Sequence, residues 1–277
     1  MATGEHARLV REFEAAGIDV TTPGFCDSQA FIIAEARDPT LLLKYGRYVR
    51  CRPRDEAYEA RVRERVPQIA NFFAAELARD GRLGAYADVS SVALKFLERE
   101  GIWGYVAVGS FVVSFLNPGG RRITLHHFMH PRNQASAGHA WLCVPPFDIV
   151  DLTPQAQAGF TAVERGQLAP VVVEGPTIET AVTLEELVEP DLRDQFYVDV
   201  GRPGQIGDFV GRSLREYWGV APARVVELPA LRLKYVECGV AAMDGSPLEE
   251  LRNLTLSGQT PIDLRAQFVG RYPAPGQ

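Results

Sequence analysis

His139 and Asp151 are the residues whose types and spacing most invite chemistry. They stand in "GHAWLCVPPFDIVDLT", residues 138–153, where a histidine opens one apolar run and an aspartate closes the next. Their separation, 151 − 139 = 12, suits a strand, a tight turn and a returning strand. An imidazole oriented by a carboxylate is two thirds of a nucleophilic triad. The missing third is a cysteine thiol, best placed at a helix N-terminus. There the dipole lowers a thiol's pKa and free N–H groups can face an oxyanion.

The helix that should carry it is read from "DVSSVALKFLEREG". Asp88 is the candidate N-cap, Val89, Val92, Leu94, Phe96 and Leu97 form the apolar positions, and Gly101 is the stop. "WGYVAVGSFVVSFL", the turn "NPGG" and "RRITLHHFMH" then read as a β-hairpin. With the two strands of the 138–153 stretch, the order is one helix followed by four strands.

This order resembles the transglutaminase-like branch of the papain-like cysteine enzymes. The family pattern is a cysteine at a helix start, a glycine exit into strands, then "HAW" and "D-x-T". Here it is met by "DVSSVALKFLEREGI", "GHAW" and "DLT", over residues 84–153, roughly a quarter of the chain. The resemblance implies that His139 is the general base, Asp151 its orienting partner and Trp141 a shield over the cleft. Tyr86, Asp88 and His126 are the further candidates for contacting substrate. The implied substrate is a peptide, a protein or a small amide or acyl compound, and no cofactor is implied.

One position departs from the family. Counting back from Gly101, the nucleophile falls at Ala87, or Tyr86 with a one-residue slip, and "GAYADVSS" contains no cysteine. Alanine has no nucleophile, and a phenol with a pKa of about 10 is a poor one at neutral pH. Ala87 could replace a native cysteine, or the chain could be a pseudoenzyme that keeps the cleft for binding. Alternatively the nucleophile lies elsewhere, with Cys26 in "PGFCDSQAF" ahead of a helix-like run as the candidate. Cys143 sits some 13 Å along the strand from His139 at ~3.3 Å per residue and reads as core, while Cys51 and Cys238 read as inert thiols.

A second cluster is "LHHFMHP". On a strand His126 and His130 share a face and His127 points away, whereas on a helix His126 and His130 would suit zinc. The hairpin favours the strand. No third ligand is identified, so no metal is expected.

The elements that must position these residues are read from the rest of the chain. "EHARLVREFEAAG" places Leu9, Val10 and Phe13 at helical spacing, and a second helix begins near Ser28. "DEAYEARVRERVPQIANFFAAELARDG" supplies one long helix or two, with Pro67 as a break or kink. After residue 154, "APVVVEG" and "LRLKYVECGVAAM" look like strands. "TLEELVEPDLRDQF" and "IGDFVGRSLREYWG" look helical, and Thr183 with Glu186 has capping-box spacing.

The expected fold is a single α+β domain over 1–277, a papain-like or transglutaminase-like core with the central helix packed on an antiparallel sheet. Residues 1–83 form a helical N-terminal part, 84–153 the core, and 154–277 a C-terminal elaboration. A net charge of −6 argues against a nucleic-acid partner. The longest uncharged run is too short and too glycine-rich to cross a bilayer. Four scattered cysteines without a CxxC pair indicate neither disulfides nor a zinc knuckle, and the expected compartment is the cytoplasm. Nothing in the sequence addresses oligomeric state.

Overall fold

A computed structural model describes residues 4–82, 84–117, 119–136, 138–157, 159–241, 246–251 and 255–273. Pro118 of the hairpin turn, and Ala242 and Met243 at the end of the last anticipated strand, lie outside the described residues. Five helices come first: α1 (Gly4–Ala15), α2 (Gln29–Glu35), α3 (Leu41–Cys51), α4 (Glu56–Asp80) and α5 (Tyr86–Arg99). Four strands follow: β1 (Tyr105–Phe115), β2 (Arg122–Leu125), β3 (His139–Val144) and β4 (Phe147–Asp151). Next are α6 (Ala162–Gln167), β5 (Val172–Glu174), β6 (Ile178–Thr180), α7 (Leu184–Leu187) and α8 (Pro190–Val200). The chain then forms α9 (Ile206–Phe209), α10 (Arg212–Tyr217), β7 (Ala223–Leu228), β8 (Leu231–Val240) and α11 (Pro261–Arg271). The fold is thus mixed α and β with antiparallel strand ladders. Among the described residues no helix is long and apolar enough to cross a membrane.

The chain divides into two compact units. The first comprises Met1–Val106, Trp141–Gly175 and Ala241–Gln277, and the second Ala107–Ala140 and Pro176–Val240.

The first unit is built on helices. Phe13 of α1, Phe31 of α2, Tyr45 and Tyr48 of α3, and Trp103 surround Phe25, which lies 5.1 Å from Phe13, 5.0 Å from Tyr45 and 6.1 Å from Trp103, ring centre to ring centre. Such edge-on pairs add directional preference to the burial of large rings. A second aromatic cluster joins α4, α5 and α11 through Phe72, Phe73, Phe96 and Phe268. Helix α4 does not break at Pro67. Its 25 residues run through the proline, whose lost N–H bond is offset by burial of Val62, Val66, Ile69, Phe72 and Phe73 along the same helix.

Helix α5 buries its apolar stripe, Val89, Val92, Ala93, Leu94, Phe96 and Leu97, almost completely. It begins two residues earlier than Asp88, which sits in the first turn while Ala85 occupies the N-cap place. A carboxylate in that turn suits the positive end of the helix dipole without capping it. Leu94 and Val144 of β3 both crowd Gly104, where a Cβ would lie 3.0 Å from Val144 and 3.4 Å from Leu94. In this unit β4 pairs antiparallel with both β3 and β5.

The second unit is built on a ladder. Strand β1 pairs with β2 on one side and β8 on the other, β8 pairs with β7, and β7 with β6. The β1–β8 register shifts at Val108/Gly109. A Cβ on Gly109 would lie 1.9 Å from the Val236 carbonyl oxygen, so only glycine allows the strands to approach there. Leu187, Val188, Val210, Ala223, Val236 and Cys238 form a core that Phe128 and Trp218 help cover.

Candidate functional site

The start of α5 combines three features. Ala87, its second residue, is exposed, and no side chain caps the N-terminus. The N–H groups of its first turn point out of the positive end of a helix long enough to carry a dipole. The residue leading into the helix is tied down, because the Gly84 N–H donates to the Ala156 carbonyl at 2.7 Å. That bond joins the approach to α5 to the turn that follows β4, and so to the neighbourhood of Asp151. Tyr86 is half-buried, which raises its phenol pKa further and removes it as a nucleophile.

Asp151 ends β4 and is fully buried. Its Oδ1 accepts the Thr153 N–H at 2.9 Å and the Thr153 hydroxyl at 3.4 Å. Gln157 in turn donates to the Thr153 carbonyl at 2.8 Å. The threonine of "DLT" thus fixes one carboxylate oxygen, and a fixed carboxylate is what an orienting group requires. The pairing of Leu142 with Val150 sets Trp141 across from Asp151. Trp141 is buried in the core, 1% exposed, where its ring packs rather than lying over an open surface.

In the second unit His139 opens β3, buried, with its ring 4.8 Å from Phe111 and 6.4 Å from Tyr235. Phe111 and Tyr235 are partners in the β1–β8 register, so the imidazole rests on a two-ring platform. The "HHFMH" run departs from the strand expected of it. β2 stops at Leu125, and Phe128 bridges Val188 instead. His127 donates its backbone N–H to Ser110 at 2.9 Å, and His130 donates its own to Glu189 at 2.9 Å. His126 Nε2 lies 3.1 Å from the Glu185 carbonyl oxygen. Burial lowers the pKa of His126 and of His127, so both favour the neutral ring. Among the described residues no group of three or more His, Cys, Asp or Glu side chains could hold a metal ion.

Cys26 is in a poor setting for a nucleophile. It lies inside a three-residue 3₁₀ turn, Phe25–Asp27, while Ser28 caps the helix that follows. Burial pushes its thiol well above the usual range, and Asp27 and Glu98 push it further, Asp27 Oδ1 lying 3.9 Å from Sγ. Cys143 is core, as expected; Cys238 is also buried, its thiol pushed up by burial.

One partly buried charge cluster escaped sequence reasoning. Lys95 on α5 pairs with Asp27 and with Glu98, the latter at 3.3 Å. Asp27 and Lys95 are 68 residues apart, so no local pattern could join them. Comparisons with protein-family models, with curated proteins and with solved structures found no match.

Proposed function

We propose that this chain is a transglutaminase-like protein with a papain-like core that retains an acyl-binding cleft and lacks the nucleophile, so that it binds a peptide or small amide without turning it over. The observation that carries the reading is Ala87, exposed at the second position of an uncapped helix. The order of the motifs supports it, as does the fixing of Asp151 by Thr153. In this reading His139 is the base and later the acid, and Asp151 orients its ring. A thiol at position 87 would attack the acyl carbonyl and expel the amine, which takes its proton from His139. Water or a second amine would then cleave the thioester. Without the thiol, the donors at the start of α5 hold the carbonyl and the reaction stops there.

Cysteine at Ala87 is the test. The A87C thiol should react with iodoacetamide near pH 6 at least about tenfold faster than a free peptide thiol, as a lowered pKa requires. Adding H139A should return it to the ordinary rate, with the parent protein as control for the four native thiols. An ordinary rate in A87C, or one indifferent to H139A, would refute the reading.

A further inference from the structure

The geometry points to a binding site for a small apolar carboxylate in a cleft of about 250 Å³ within the first unit, with Arg165 as its anion anchor. One wall is a single face of α4 and its end, Ala74, Leu77, Ala78 and Gly81, which recur at helical spacing. Leu152, Ala156 and Pro170 supply more apolar surface.

Two arginines line this cleft, and they differ. Arg82 is paired with Asp80 at 3.2 Å and donates to the Thr255 carbonyl at 2.7 Å. Arg165 has no carboxylate partner among the described residues. Among the described residues its Nε is buried without an acceptor, and one terminal nitrogen reaches the Gln157 and Phe160 carbonyls, each at 3.5 Å. The neighbouring Glu164 is turned to the start of α6, accepting the Thr161 N–H at 2.8 Å. A buried guanidinium donor left without an acceptor is costly, and its planar fork matches a carboxylate. An apolar wall beside it selects a ligand with a hydrocarbon tail. The volume lies below the roughly 300–1,000 Å³ typical of drug-sized pockets, which limits the tail to a short chain. The site stands apart from the reading of Ala87, since it needs neither a nucleophile nor His139.

The probe is sodium octanoate, with octan-1-ol as its neutral counterpart, titrated into the full chain and followed by amide NMR shifts and calorimetry. Octanoate should bind more tightly than octanol and shift the amides of Leu77, Thr153 and Arg165. R165M should weaken octanoate by roughly tenfold or more, the loss of one charge-assisted pair, and leave octanol unchanged. A78F, at an exposed helix position, should block both without unfolding the protein. Equal affinity for the two probes, octanoate binding indifferent to R165M, or no shift in the cleft amides would each overturn the site.

Discussion

Glu98 shows how one buried side chain can tie stability to pH. It sits on α5 with Lys95 beside it, Asp27 across from it and Cys26 and Tyr45 nearby. Gly24, at φ +75°, leaves room for it: a Cβ there would lie 2.7 Å from the Glu98 carboxyl carbon. Burial pushes the Glu98 carboxyl up to about 7; Asp27 adds to that push and Lys95 opposes it. A carboxyl whose folded pKa exceeds its unfolded one favours the folded state while protonated. Its contribution is complete below the unfolded value near 4.5 and is lost as pH rises through about 7. The urea midpoint should therefore fall between pH 6 and pH 8, and E98Q should flatten that slope. An unchanged slope in E98Q would place the proton elsewhere.

Among the elements, the β1–β8 pair depends most on a single residue. Gly109 stands where the register shifts and where the Val236 carbonyl comes closest. Gly109→Ala should destabilise the protein by about 2–4 kcal/mol, because the strands must part or the bulge must move. Chemical denaturation reads the loss, and a change below about 0.5 kcal/mol would show that the strands yield easily. Helix α5 makes the opposite point. Its stripe is buried against α4 and α11 through Phe96, whereas Ala87 in its first turn is exposed and takes no part in that packing.

Across the whole molecule, the chain passes between its two units four times, at 106/107, 140/141, 175/176 and 240/241. Neither unit is a continuous stretch of sequence. Helix α11 closes the first unit's core from the far end of the chain, Phe268 lying 5.5 Å from Phe72 and 5.8 Å from Phe96. Arg65 on α4 adds a hydrogen bond to the Tyr272 carbonyl at 3.2 Å. A fragment ending at residue 175 should consequently lack a cooperative thermal transition and show poorly dispersed NMR amides, although it contains the whole 84–153 stretch. Sharp dispersion in that fragment would show that α11 is dispensable.

The sequence by itself determined the local elements whose apolar period is strong. Leu9 and Phe13 marked α1, Val89 to Leu97 marked α5, β1 and β2 pair antiparallel as a hairpin requires, and the Glu186 carboxylate does accept the Thr183 N–H at 3.1 Å. It also singled out His139 and Asp151, though both are buried. Strand β6 was not legible because three residues, Ile178–Thr180, carry no period, and α3 and α11 were not picked out either. Helix α3 places Tyr45 and Tyr48 in the aromatic cluster, whose other members come from distant segments. The histidine run reads as strand because a hairpin precedes it; the end of β2 at Leu125, the bridge from Phe128 to Val188 and the bond from His127 to Ser110 show another path. The Lys95–Asp27 ion pair joins residues 68 apart in the chain, and the cleft beside Arg165 forms only when the end of α4 packs near the turn after β4. Periodicity is a property of neighbours along the chain, whereas burial of a charge is a property of everything folded around it.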